Sequence, residues 1–568
     1  MTGINAVYTD TANCQDCYRC VRACPVKAIS VIGRQARIQP ELCVQCGTCV
    51  RECPQGAKKI RSDKDKAKEL IASGQSVAAS VAPSFAAVYS GSLANRLPSL
   101  LRGLGFKYVS ETAEGANYIT ARSFEKDQKG TICTACPAVV NYIEKYTPQF
   151  ADELIPIVSP MIAHGRLLKQ RYKNCAVVFI GPCAAKKMEI TRPENTDATD
   201  CVITFQELDE WLKDEGVDVE NTVESGFDHV HNPGDARLFP LEGGMLTAGG
   251  IKNSADSENL KITGAENFIS FLADKDNVIG RGYVEPLFCK GGCIGGPAFP
   301  GGKMLFERRK NIIDYWKSTR DNETNTEPRN QIQDKADFKE HSANLPPVSE
   351  NTINKIFAQT GKTDPALQLN CEACGYRTCE ENAIAIARGL AEPEMCLPYM
   401  RRLAQQRTDR IIDTTPNGVV IVDSDLRMIK MNPAFQKMFM CNNGILGRRV
   451  SYLVNAEGFE KLQLGAVGAS DKVESIQMKY GIRYHEILYA LRDEGQYVGI
   501  YSDISKLKFD REQLDVVKAQ TLLHAREFLD HQIRFAQEMA HYLGKSTAQS
   551  EEIAKRLIAL YEGSEESE

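Results

Sequence analysis

The sequence predicts an α/β multidomain protein, and three features predict it. The chain has 568 residues, enough for about four domains at roughly 150 residues each. Hydrophobic residues at 43% and charged residues at 25% are the values of ordinary globular domains. Strand-like and helix-like stretches alternate along it, as in Cys175–Ile180 (CAVVFI) before Gln206–Asp214, and again in Gly418–Val422 and Val498–Tyr501.

The expected order is a small α+β module at 1–62, a larger α/β domain at 63–310 and a polar linker or surface excursion at 311–345. A small four-cysteine domain at 346–402, a small α/β domain of sensor type at 403–507 and a C-terminal helix or coiled coil at 508–568 follow. A net charge of −5 without a clustered basic stretch predicts no nucleic-acid partner. Met1–Asp10 has neither a basic nor an apolar region, so no signal peptide is expected. The longest uncharged run, Leu70–Asn95, is rich in Ser and Gly and contains Pro83, a poor membrane span. A soluble cytoplasmic protein is expected. Its 20 cysteines, mostly two or three residues apart in a large chain, suit metal clusters better than a disulfide framework.

In the first module, Cys14, Cys17, Cys20 and Cys24 precede Pro25, and Cys43, Cys46, Cys49 and Cys53 precede Pro54. This is the two-cluster ferredoxin spacing, in which three thiolates of each run hold one [4Fe–4S] cube and the fourth ligates the other. Zinc sites call for paired C-x-x-C units instead. Two such clusters relay single electrons.

The second domain carries three cysteine segments, Thr131–Pro137 (TICTACP), Gly181–Glu189 (GPCAAKKME) and Glu285–Gly296 (EPLFCKGGCIGG). Thiols flanked by Pro and Gly on loops can converge on one metal centre, and the Gly-rich loop between Cys289 and Cys293 lets backbone approach a bulky cofactor. These segments resemble, in order, the three signature segments of [FeFe]-hydrogenases, a likeness covering residues 1 to about 310. The resemblance implies an H-cluster, a [4Fe–4S] cube bridged by a cysteine to a two-iron unit with CO and cyanide ligands. It implies Cys136, Cys183 and Cys289 as cube ligands and Cys293 as the bridging thiolate. Lys186 and Ala82-Pro83-Ser84 match the residues beside the two cyanides, so Cys293, Lys186 and Ser84 are the expected catalytic set. An ammonium and backbone N–H groups in a dry pocket suit anionic ligands.

Departures from the family bear on function. Its proton-shuttling cysteine aligns with Ala135, its two methionines with Gly181 and Leu287, its tryptophan with Val139 and a serine of its proton route with Ile155. The Ser159-Pro160 pair is kept. Its acidic relay pair has no clear counterpart, since Glu125 is the sole glutamate of Ile119–Gly130. Alanine and isoleucine relay no proton, and losing a positioned acid/base costs about 100- to 10,000-fold. Slow turnover is expected. Cys133, three residues before Cys136, is the candidate substitute shuttle.

Cys371, Cys374, Cys379 and Cys396 form a further set that resembles an accessory [4Fe–4S] domain, with a structural zinc site as the alternative. Residues 405–507 resemble a PAS domain, on Ile411–Asp423 (IIDTTPNGVVIVD), Asn432–Phe435 (NPAF) and Tyr501–Ile504 (YSDI). His485 is a conceivable haem ligand but reads better as a packing residue, and Cys175, Cys201 and Cys441 as buried free thiols. In the tail, Leu522, Leu529, Ala536 and Leu543 recur every seven residues, with Ile533 and Ala540 between. That seam suits a coiled-coil homodimer or a single packed helix.

The whole resembles the sensory [FeFe]-hydrogenases. The expected function is slow H2 splitting, electron relay through the clusters, and signalling through PAS to a separate kinase or phosphatase, with ferredoxin as a redox partner. The alternatives are a catalytic ferredoxin-linked hydrogenase and a non-catalytic electron-transfer or cluster-assembly protein.

Overall fold

The computed structural model describes residues 5–125, 130–219, 221–228, 233–251, 258–274, 282–301, 303–319, 331–343, 345–464, 472–491, 495–505 and 523. The chain divides into two compact units, Met1–Cys396 and Leu397–Glu568. The heptad seam lies outside the described residues.

The N-terminal module repeats its sequence symmetry in three dimensions. Short helices Arg19–Ala23 and Thr48–Glu52 each carry the third cysteine of a run, Cys20 and Cys49. Val7–Thr9 pairs antiparallel with Lys58–Ile60, and Ile29–Ile32 with Gln35–Ile38. Gly47 sits at φ +72, and a Cβ there would fall 2.5 Å from the Pro297 ring. Only glycine lets this module approach the third cysteine segment so closely.

The second domain is built on a four-stranded parallel sheet in the order Tyr108–Glu111, Ser76–Val81, Cys175–Gly181, Cys201–Thr204. Cys175–Gly181 is buried throughout, as expected of a parallel sheet covered by helices on both faces. The common direction sends Ala82, Thr112 and Pro182 off the same strand edge. That carboxyl edge is where open α/β sheets bind ligands. Cys175 and Cys201 open their strands at the other end. The third segment begins as strand Val284–Leu287, parallel to Leu260–Thr263 and bridged through Val284 to Ile132.

Within the stretch expected as a polar linker or surface excursion, 311–345, residues 311–319 and 331–343 are among those described. Helix Leu305–Thr319 takes its first part. Further on, Val158 donates to the Asp334 carbonyl at 2.9 Å, Ala336 to Pro156 at 3.0 Å and His341 to Glu144 at 3.0 Å. Its side chains are polar because they face water, while its backbone is paired to the domain.

Helices Glu350–Thr360 and Cys379–Ala387 form the four-cysteine region, capped by Ser349 and Thr378. It is fastened to the N-terminal module. Val31 donates to the Leu390 carbonyl at 2.9 Å, Gly33 N–H to Glu392 Oε1 at 2.7 Å, and the two regions share one apolar cluster.

The second unit opens with helix Leu397–Thr414 and has a five-stranded antiparallel sheet. Its order is Met428–Met431, Gly418–Val422, Gln496–Asp503, Ile482–Leu491, Lys472–Lys479. Asn432 ties it together, accepting from Val419 and Phe435 N–H and donating to the Ile412 and Asn417 carbonyls, all at 2.8 to 2.9 Å. His485 is buried and hydrogen-bonded to Glu474 at 2.7 Å.

Candidate metal centres and the cavity beside them

The 16 cysteines singled out as ligands gather into four groups. Cys20 lies within electrostatic reach of Cys14, Cys17 and Cys53. Cys24, Cys43, Cys46 and Cys49 act on one another. Each run has therefore exchanged its fourth thiol with the other, because the two helices pack back to back. Burial pushes Cys20 and Cys24 up to about 11 and Cys43 to about 12. A cluster needs thiolates, so loading releases protons. Backbone N–H groups of Ala28, Gln45 and Ala57 donate to Cys24, Cys43 and Cys53 at 3.3 Å. Lys58 is buried, donates to the Ala36 carbonyl at 2.9 Å, and its charge acts on both Cys20 and Cys49. Sequence reasoning passed over it, since nothing local marks a buried lysine.

Cys136, Cys183, Cys289 and Cys293 form the third group. Burial raises Cys183 to about 11, with Cys136 adding to it. Cys289 is raised by burial and by Cys183, Cys136 and Cys293. Cys46 acts on both Cys136 and Cys289, so the second and third groups are neighbours. In the fourth group Cys374 is acted on by Cys396 and Cys371. Buried Lys362 hydrogen-bonds Cys396 and Cys379, which keep its ammonium charged against the opposing effect of burial. Among the described residues, no three His, Cys, Asp or Glu side chains are drawn in to the spacing of a single bound ion.

Beside the third group is a cavity of about 90 Å³. Ala82, Pro83, Ser84, Lys186, Cys136, Cys183 and Cys293 line it, so these candidates meet at one place. Lys186 donates to Ser159 Oγ and Glu189 Oε2, both at 2.9 Å. Ala135 and Leu287 are also in the wall, and Ile155 is fully buried in the core nearby. Four thiols with an adjoining, mostly apolar chamber fit a cubane extended by a further group.

The wall contains residues to which sequence reasoning gave no role. Met161 and Met245 line it, methionines from other positions than the family's. Glu285 lines it too, accepting from Met245 and Leu246 N–H at 3.1 and 3.0 Å, and burial raises its carboxyl to about 7. An acid thus stands in this wall, whereas Glu125 is exposed and paired with Arg122 at 2.9 Å. Cys133 stands in the wall as well, because its N–H pairs with the Val284 carbonyl at 2.9 Å and holds its strand against the third segment.

Residues 75–297 match the family described as iron only hydrogenase large subunit, C-terminal domain. Residues 8–57 match the 4Fe-4S dicluster domain, 368–398 an Fe-S cluster family and 406–469 the PAS domain. The chain is an [FeFe]-hydrogenase-like protein with a PAS domain. This hydrogenase-like chain is 26% identical over 285 residues to the NADP-reducing hydrogenase subunit HndD of Solidesulfovibrio fructosivorans, covering 39% of itself and 48% of that protein. It is 37% identical over 90 residues to the cytosolic Fe-S cluster assembly factor NAR1 of Kluyveromyces lactis, covering 16% and 19%. It spans half or less of the length of these curated relatives. The solved [FeFe]-hydrogenase HydA1 of Chlamydomonas reinhardtii (variant E144A) aligns at 18% identity and TM-score 0.36, over 44% of this chain and 88% of that one. Among the described residues no helix is long and apolar enough to cross a membrane.

Proposed function

We propose that this chain is a sensory [FeFe]-hydrogenase that binds H2, splits it slowly, and passes the electrons through [4Fe–4S] clusters to a state read by the PAS domain. The observation that carries the reading is the cavity wall: Lys186, Ser84 and Cys293 are present, while Ala135 stands where a proton shuttle is needed. Bound there, an H-cluster supplies the metal chemistry that polarises H2. Cys136, Cys183, Cys289 and Cys293 would hold it. Lys186, hydrogen-bonded to Ser159 and Glu189, has a third N–H to offer an anionic ligand. Met161, Met245, Phe179 and Phe239 exclude water. Cys133 and Glu285 are the groups of the wall that can hold a proton, Glu285 with a carboxyl suited to neutral pH.

Electrons would leave toward Cys46, a thiol of the next group that lies within electrostatic reach of Cys136 and Cys289. The first two groups suit [4Fe–4S] cubes, and the fourth suits another. Cys396 immediately precedes helix Leu397–Thr414, which leads into the PAS sheet. A redox change at this ligand therefore acts at a helix start, and a few kcal/mol of differential stability suffices to shift a two-state output. A homodimer, a ferredoxin-type electron partner and a separate signalling protein complete the proposal.

A second reading is a cluster-assembly protein with cubanes alone, favoured by the local likeness to the NAR1 assembly factor. The test is an infrared spectrum of anaerobically purified protein, matured with the hydrogenase machinery, under argon and then H2. CO and cyanide bands that shift under H2, with low turnover in a separate assay, support the sensory reading. Full cubane iron without those bands overturns it in favour of assembly or electron transfer.

A further inference from the structure

A line of buried polar side chains leads away from the cavity, and no step above uses it. Thr112 stands in the cavity wall. Its Oγ1 is 2.8 Å from Ser80 Oγ, and Ser80 Oγ is 2.7 Å from His164 Nδ1. His164 Nε2 faces Glu114 Oε2 at 3.6 Å. Arg171 grips Glu114 through both carboxylate oxygens. Ser80, His164 and Glu114 have no solvent exposure, and Thr112 has 3%. Three polar side chains and an acid in a core are costly unless they satisfy one another.

The backbone is shaped to hold this line. Helices Ala113–Ser123 and Pro160–Arg171 meet at Gly115, where a Cβ would fall 2.5 Å from His164 Cβ and 2.6 Å from the Pro160 carbonyl oxygen. Without a side chain there, His164 sits directly over Ser80.

Charge sets the direction of the hydrogen bonds. The Glu114 carboxylate beside Nε2 selects the tautomer with its proton on Nε2, leaving Nδ1 to accept from Ser80. Ser80 Oγ then accepts from Thr112, and Thr112 turns a lone pair to the cavity. Burial lowers His164, with Glu114 opposing, so the ring is neutral and open to a proton. Burial works against ionisation of Glu114, but His164 and Arg171 outweigh it and hold the carboxylate at about 2. The remaining charges facing the ring are Arg171 and Glu111, and Glu111 is bound by Arg237 and Tyr315. An arginine does not release its proton, so the line is closed at its outer end.

We infer that Thr112, Ser80 and His164 form a proton store that takes one proton from the cavity when H2 is split and returns it, rather than conducting it to solvent. The inference rests on the sensory reading above. A proton reaching Thr112 Oγ1 is matched by transfer of the Thr112 hydroxyl proton to Ser80 and of the Ser80 proton to His164 Nδ1. Both hydroxyls end unchanged, His164 becomes an imidazolium against Glu114, and no electron moves along the line. Thr112 touches the cavity, and Ser80 and His164 act through it. A store without an exit suits a site that reports H2 instead of consuming it.

Full-length protein labelled with ¹³C,¹⁵N-histidine tests this, with His164→Gln assigning the resonance. In protein without the two-iron unit, His164 at pH 7 should be neutral with its proton on Nε2, and Ser80→Ala should shift its Nδ1 resonance. In matured protein, H2 should produce an imidazolium signal in the infrared difference spectrum that Thr112→Val abolishes and Thr112→Ser retains. A proton on Nδ1 in the first measurement overturns the store whether or not CO and cyanide bands are found. An unchanged imidazolium signal in Thr112→Val overturns it while the bands, and with them the sensory reading, stand. Absence of the bands overturns the sensory reading and with it the role in H2 splitting.

Discussion

Lys27 Nζ donates a hydrogen bond to the Gly375 carbonyl at 2.8 Å. Lys27 is three residues beyond Cys24, and Gly375 directly follows Cys374, so one ammonium joins two thiol groups 350 positions apart in the chain. The same Nζ donates to the Val21 and Arg22 carbonyls at 3.1 and 3.2 Å. Its charge also feels both Cys24 and Cys374. An electron on either group is thus close to the same cation.

Lys27→Met should strip these carbonyls of a donor and cost on the order of 1–3 kcal/mol. Thermal unfolding of the cluster-loaded protein should begin at a lower temperature. An unmoved midpoint would mean that water replaces the ammonium and that the two regions are held by their apolar contacts alone.

Ala135→Cys puts a thiol into the cavity wall beside Cys136. If the missing shuttle limits the rate, H2 evolution in matured protein should rise by about 100-fold or more, the usual worth of a positioned acid/base. An unchanged rate sinks the proton-path explanation of slow turnover.

Glu285 is a buried carboxyl raised by burial from 4.5 to about 7. The folded chain keeps its proton up to about pH 7, whereas the unfolded chain loses it near 4.5. The folded state therefore binds more protons in that window, and stability falls as pH rises through it, by on the order of 3 kcal/mol for such a shift. Glu285→Gln should remove this slope. Denaturant midpoints at pH 5 and pH 7 check it, and a wild-type and variant slope of equal size would refute it.

Asn432→Ala should delete four hydrogen bonds, one to the Ile412 carbonyl of helix Leu397–Thr414 and three to Asn417, Val419 and Phe435. A loss of about 3 kcal/mol is expected, read as a lower unfolding transition of the second unit, with the visible absorption of the clusters retained to that point. Loss of both signals together would instead tie cluster retention to the PAS fold.

The sequence by itself determined the mixed α/β class, the ferredoxin-type, hydrogenase-like and PAS-type likenesses, and the strand and helix identities that could be checked. Those features are local: ligand spacing, turn residues and hydrophobic period are written within a few positions of one another. The exchange of Cys24 and Cys53 was legible for the same reason, since it follows from the repeat. Tertiary structure alone decided what surrounds the groups. Glu285, Thr112, Met161 and Met245 come to one cavity from four separate stretches of chain, brought together by the parallel strand edge and by helix packing. Ser80, His164 and Glu114 look like ordinary core and helix residues in sequence, because nothing within one turn of any of them announces a partner 50 or 84 positions away. The polar stretch 331–343 shows the same division between local and tertiary information. Composition reports which side chains face water, whereas its backbone pairing to Pro156, Val158 and Glu144 depends on contacts that composition does not carry.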